Sequence, residues 1–203
     1  MDDRVVIFID GSNLYHALRE NVGRTDLNFA EFSRKLVGDR TFIRTYYYNV
    51  LQDPVRNPDG NREQSEFLNV LRGTPFLEVR LGGTKLSQGA TVEKGVDVML
   101  ATDIVYFSWI GVYDTALLVS GDSDFAYALQ TIKNMGKRVE VAYFETNASR
   151  DLLETADITH LLTKTFFQGL WGGKPRPAQP RRHTRPRTRP HPAASTPLGT
   201  SDR

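Results

Sequence analysis

Residues 5–9 (VVIFI) are apolar without interruption, and so are residues 116–119 (ALLV). A strand with one wet face alternates apolar with polar positions. An unbroken apolar run marks a strand covered on both faces, as in a parallel sheet between helices. Buried strands are therefore predicted at 5–10 and 115–120. Residues 41–51, rich in β-branched and aromatic side chains, predict another, and further strands are predicted at 76–81 and 138–144, with a last edge strand at 160–162. Between the strands the apolar spacing changes to threes and fours. It predicts helices at 14–20, capped by Ser12 or Asn13, and at 29–37, from Asn28 to the stop at Gly38. Others are predicted at 62–71, ended by Gly73-Thr74-Pro75, and at 95–109, with Val98, Ala101, Ile104 and Val105 in register. The last two fall at 125–135, ended by Gly136, and at 149–155. Residues 53–60 and 82–93 read as polar, glycine-containing loops. Helices alternating with buried strands predict a three-layer α/β domain with a mostly parallel sheet of about five strands. No internal repeat is visible.

Composition changes this picture at one end only. Residues 172–203 hold seven of the ten prolines and eight Lys and Arg against one Asp, a net of +7. The chain's total is +2, so residues 1–171 carry −5. Such a segment has too little apolar surface to offset its ordering entropy. It predicts a disordered, partly polyproline-like cationic tail after a mildly acidic domain spanning 1–171. The 203 residues, 39% of them hydrophobic, suit one well-filled domain. With no cysteine, disulfides, thiolate metal sites and cysteine nucleophiles are excluded. The start resembles no signal peptide, and no run approaches the roughly 18 apolar residues of a membrane span. A cytoplasmic protein is the expectation.

The candidate chemistry lies in aspartates placed at strand ends and helix starts. Asp10 closes the first buried run and opens Asp10-Gly11-Ser12-Asn13. Asp122 and Asp124 follow the 116–119 run within Ser120-Gly121-Asp122-Ser123-Asp124-Phe125. Asp97, in Lys94-Gly95-Val96-Asp97, heads the 95–109 helix. In open parallel sheets, sites form beyond the carboxyl ends of the strands, where the strand order reverses. Carboxylates gathered there repel one another unless a divalent cation neutralises them. All-oxygen ligands suit Mg²⁺ or Mn²⁺, and such ions serve phosphodiester hydrolysis by activating water and clamping the reacting oxygens. Asp10, Asp97, Asp122 and Asp124 are thus the metal candidates. Asn13 is a candidate for orienting a water or phosphate, and Ser120 and Ser123 for hydrogen-bonding the carboxylates.

Each position also has a plain structural reading. Asp10 is a good turn residue before glycine; Asp122 and Asp124 are good helix caps; Asp97 suits the first turn of a helix dipole. Asp103 lies six residues past Asp97 on another helix face, and is expected at the surface or behind the site. His16 shares a helix face with Asn13. Tyr46-Tyr47-Tyr48 offers base stacking, although strand tyrosines more commonly divide between core and surface. Lys94 is a phosphate contact or a solvated lysine. Gly82-Gly83-Thr84-Lys85 lacks the spacing of a phosphate loop.

At Asp10-Gly11-Ser12-Asn13, Lys94-Gly95-Val96-Asp97 and Ser120-Gly121-Asp122-Ser123-Asp124-Phe125 the sequence resembles the NYN domain, in its LabA-like branch, a relative of the PIN-like nucleases. The resemblance covers roughly residues 4–162, with the motifs in the expected order. It implies a PIN-like, Rossmann-like parallel sheet, a metal-dependent ribonuclease site and an RNA substrate. Carried over by motif, Asp10, Asn13, Asp97 and Asp122 are the implied site residues, supported by Asp124. The expected function is a Mg²⁺- or Mn²⁺-dependent ribonuclease acting on single-stranded RNA, with the basic tail contacting nucleic acid. Two other readings stand beside it. One is an RNA-binding or regulatory module without turnover. The other is a haloacid-dehalogenase-like phosphatase, although Ser12 occupies the second acidic place of that superfamily's Asp-x-Asp nucleophile motif.

Overall fold

In a computed structural model of the protein, residues 3–87 and 90–172 are described. Along the chain the elements are β1 (Arg4–Asp10), α1 (Gly11–Asn21), α2 (Phe29–Val37), β2 (Thr41–Val50), α3 (Pro58–Arg72), β3 (Leu77–Ser87), β4 (Ala90–Lys94), α4 (Val96–Trp109), β5 (Thr115–Val119), a 3-10 turn (Ser123–Phe125), α5 (Ala126–Asn134), β6 (Arg138–Tyr143), α6 (Arg150–Thr155) and β7 (Ile158–Leu161). The sheet order is β4-β3-β2-β1-β5-β6-β7. All neighbours are parallel except the β3–β4 hairpin.

β1 is the central strand, and its apolar run feeds both layers. Val5, Ile7 and Ile9 pack with α1, α2 and α3 on one face. Val6 and Phe8 pack with α4, α5 and α6 on the other. All five are fully buried, each contributing about 1.5–3 kcal/mol of apolar burial. By the same alternation Asp10 faces the α4–α5 side, at the end of the strand. Chain order runs outward from β1 to β2 on one side and from β5 to β6 on the other. The order therefore reverses between β1 and β5, the crevice in which such sheets place their sites.

The expected three-layer, mostly parallel architecture holds, with six parallel strands and a seventh antiparallel one. The stretch 82–93, expected as a loop, is largely strand: β3 continues to Ser87 and pairs with β4 from Gly83↔Lys94 to Ser87↔Ala90. Gly82 and Gly83 and the polar composition hid a hairpin defined by its cross-strand pairing. β3 begins at Leu77, not 76, because Phe76 takes a left-handed conformation (φ 58°) at its entry. α3 starts four residues earlier than expected: Asn57 accepts the amide of Gly60 at 3.1 Å and Pro58 sits in the first turn, a start signal inside the supposed loop. α1 is capped by Asp10 rather than by Ser12 or Asn13, since the Asp10 carboxylate accepts the Asn13 amide at 3.0 Å. The three tyrosines of β2 are all buried. Tyr46 and Tyr48 face α4 and Tyr47 faces α1 and α2, so none offers a stacking surface to a base. The described chain runs to Gly172, whose amide donates to the Asp26 carbonyl at 2.9 Å. The remainder of the basic tail lies outside the described residues. No helix among the described residues is long and apolar enough to cross a membrane.

Candidate active site

The site is built where β1 and β5 end. Asp10, only 6% exposed, is held by two donors: the Asn13 amide at 3.0 Å and the Ser120 hydroxyl at 3.2 Å. The Ser120 oxygen in turn accepts the Asp122 amide at 3.1 Å. Asp122 caps the 3-10 turn by accepting the Asp124 amide at 3.0 Å. Ser120 thus ties the end of β5 to the carboxylate at the end of β1, the supporting role expected of it.

Two glycines make this approach possible. A Cβ on Gly11 would stand 2.3 Å from Tyr47 Cζ and 2.6 Å from the Tyr48 carbonyl oxygen. A Cβ on Gly121 would stand 2.1 Å from the Asn147 carbonyl oxygen. Asn13 and Asn147 fasten the same corner. The Asn13 Oδ1 accepts the Gly121 amide at 3.2 Å and the Asn147 Nδ2 at 2.9 Å. Ser149 donates its amide to the Gly121 carbonyl at 2.9 Å. The Asn13 oxygen is therefore a staple between loops.

A cavity of about 60 Å³ opens beside Asp10, lined also by Ser12, Asn49, Val50, Gly95, Val96 and Asp97. Asp97 reaches it from the first turn of α4, which starts at Gly95 in a left-handed conformation (φ 84°). Asp10 and Asp97 thus share one crevice, although 87 positions apart in sequence. Asp122 is near enough to act on the same charge. Burial pushes the Asp10 carboxyl up to about 6, with Asp97 and Asp122 adding repulsion against the hydrogen bonds from Asn13 and Ser120. Asp124 and Ser123 are exposed on the turn.

Every polar group around the cavity presents oxygen or amide, and no imidazole lines it. That donor set is one for a hard cation. Among the described residues no three His, Asp or Glu side chains stand close enough to enclose an ion. Mg²⁺ does not require that: it is commonly held by one or two carboxylates and keeps water or substrate phosphate on its other positions. A buried carboxylate with a raised pKa, beside two further carboxylates, fits such a group in kind.

Asp103 lies outside this crevice. It accepts the Tyr48 hydroxyl at 2.8 Å and pairs with Arg80, whose guanidinium lies over the Tyr46 ring at 4.7 Å. It anchors α4 to the sheet. His16 is exposed on α1, edge-on to Tyr15. The side chain of Lys94 is outside those described. Asn49 and Asn147 were not anticipated. Asn49 had one available signal, its place at the end of the strand beside β1. Asn147 sits in an irregular loop where periodicity carries no information.

Comparison with known proteins follows the same boundaries. The model of the NYN domain matches residues 4–163. The chain is 26% identical over 161 residues to the Low amplitude and bright protein LabA of Synechococcus elongatus, covering 76% of this chain and 81% of that one. A crystal structure of a Vibrio parahaemolyticus protein of unknown function superposes with a TM-score of 0.66 at 23% identity, covering 79% of this chain and 93% of that one. That last likeness is one of fold.

Proposed function

The chain belongs to the NYN domain family, in its LabA-like branch, and on that premise we propose that it is a Mg²⁺- or Mn²⁺-dependent ribonuclease cleaving single-stranded RNA at Asp10, Asp97 and Asp122. The observation that carries this reading is Asp10: a carboxylate buried at the switch point of the sheet, raised to about 6, in one crevice with Asp97. A structural aspartate capping a helix gains nothing from burial beside two like charges, whereas a cation ligand does.

Asp10 and Asp97 would hold the ion, with Asp122 adding its charge beside them and Asp124 at the rim of the site. When bound, such an ion would supply neutralisation of charge on the phosphate and would lower the pKa of a water so that it becomes a nucleophile at neutral pH. The chain's own part is positional. Asn13 and Ser120 fix the Asp10 carboxylate by one hydrogen bond to each oxygen. Asn13, Asn147 and Ser149 fix the loop that carries Asp122. The exposed Asp97 leaves the crevice open to a chain passing over it.

The test is incubation of purified protein with labelled single-stranded RNA in Mn²⁺, Mg²⁺ or EDTA. Cleavage is expected with either metal and none in EDTA, and none from Asp122→Asn. Binding without cleavage in all three would leave the regulatory module. Cleavage persisting in EDTA would end the metal reading.

The acidic domain repels RNA, so the cationic tail is assigned the attraction. Removing residues 173–203, which keeps the Gly172 amide on Asp26, should weaken RNA binding more than it lowers the rate at saturating substrate. Every RNA phosphate that the tail no longer neutralises should flatten the salt dependence of binding by about 0.7 log units per log of salt. Unchanged binding at low salt would rule this out.

A further inference from the structure

The helix α4 is apolar right round, unlike the other described helices. Its inward face is Val96, Leu100, Ile104 and Phe107, all buried against the sheet and α5. At about 100° per residue, Val98, Thr102, Tyr106 and Trp109 fall in one stripe about 80° wide on the opposite side. That is where a helix facing only water carries charge. α2 presents Arg34 and Lys35 to solvent, α3 presents Arg62, Glu63 and Glu66, and α6 presents Arg150 and Glu154. The α4 stripe has one polar group besides the tyrosine hydroxyl and indole N–H, the Thr102 hydroxyl. The two acids of α4 lie on its flanks. Asp97 lines the crevice and Asp103 is bound by Tyr48 and Arg80.

The exposure is large. Val98 is 70% exposed, Tyr106 53%, Trp109 78% and Ile110, just past the helix end, 51%. On α5, packed beside α4, Tyr127 is 84% exposed. At the usual 150–250 Å² for an aromatic side chain, Tyr106, Trp109 and Tyr127 offer roughly 430 Å² of mostly apolar surface, to which Val98 and Ile110 add. A stable protein interface takes about 800 Å² from each partner, roughly two thirds of it apolar. The exposed apolar area on α4 and its neighbour is thus on the scale of the apolar share of such an interface.

We propose that the outer face of α4 is a self-association surface, through which two copies of this chain pair about a two-fold axis with Trp109 and Tyr106 at the contact. The charge pattern suits a second copy. In a two-fold contact a patch meets itself, so any net charge on it would face its own like. This stripe carries none. Tryptophan and tyrosine are also the residues that most often dominate the energy of an interface.

Sedimentation velocity of the full-length chain across the micromolar range tests this. The wild type should sediment as a dimer. Trp109→Glu and, separately, Val98→Glu should raise the dimer dissociation constant about 100-fold or more. Both positions are exposed in the single chain, so the circular dichroism and melting profile of the monomer should be retained. Tyr106→Glu serves if either variant misfolds. The emission of the wild type should also shift to shorter wavelength with concentration as Trp109 leaves water, and that shift should be missing from Trp109→Phe. A wild type that stays monomeric at all concentrations overturns the proposal, as does a dimer that survives these substitutions.

Discussion

Asp10→Asn should abolish RNA cleavage and leave the protein as stable as the wild type, or more so, at neutral pH. The loss of activity is expected to be ~10³-fold or more, the scale on which catalytic sites lose a group aimed at developing charge. The stability follows from the same carboxylate. Its folded pKa is about 6, against 3.8 for the ordinary group. Between those values the folded state holds a proton that the unfolded state has released, so stability falls as pH rises from about 4 to about 6 and is level above that. The shift corresponds to a loss of about 3 kcal/mol at neutral pH. Asparagine carries no charge to bury. Its oxygen still accepts the Asn13 amide and its amide can donate to Ser120, so the corner keeps its hydrogen bonds. Urea unfolding at pH 4.5 and pH 7.5 reads this directly: the wild type should lose stability between the two and the variant should not. A variant less stable than the wild type at pH 7.5 would show that the carboxylate serves the fold, not a ligand.

The second large effect is expected at Gly121. Alanine there would put its Cβ 2.1 Å from the Asn147 carbonyl oxygen and 2.7 Å from the Asn147 carbonyl carbon. Those are backbone atoms, so no side-chain rotation relieves the clash. The two loops must separate, stretching the hydrogen bonds from the Gly121 amide to Asn13 and from Ser149 to the Gly121 carbonyl. A loss of about 3 kcal/mol is expected, at the upper end for overpacking. Cleavage should fall too, because Asp122 rides on that loop. Gly136→Ala is the control. Gly136 has a φ of 82° with nothing within 4 Å of an added Cβ, so its cost is backbone strain alone, about 1–2 kcal/mol. Equal losses at the two positions would mean that the close approach of the loops is not tight. Denaturant midpoints at a common slope give the comparison.

The strands and most helices were legible because their signals are local. The unbroken run at 5–9 reads as a strand covered on both sides, and Asn28 and Gly38 bracket α2 as cap and stop. The β3–β4 hairpin was not legible, because its pairing is a relation between two polar segments. The start of α3 was written in Asn57-Pro58 but sat among turn residues that pointed the other way. At the candidate site, the strand-end positions of Asp10 and Asp122 were readable from the alternation of elements. That Asp97 reaches the same crevice depends on how α4 crosses back from the hairpin to β5, which no local pattern encodes. The stapling part played by Asn13 was not legible for a related reason. Its oxygen is taken by Gly121 and Asn147, more than 100 residues away in sequence, and only the packed loops reveal that. The plain reading of Asp10 as a local cap was also correct in its geometry: it does cap α1. Capping alone, however, gives no account of its burial among like charges.

The most direct test of whether these carboxylates share a cation is a crystal of the protein grown with Mn²⁺ and measured at the manganese absorption edge. The account predicts an anomalous peak in the crevice, within bonding distance of an Asp10 oxygen and of Asp97 or Asp122, and no such peak in Asp10→Asn. A crevice empty at saturating Mn²⁺, in protein from a preparation that cleaves RNA, would contradict it.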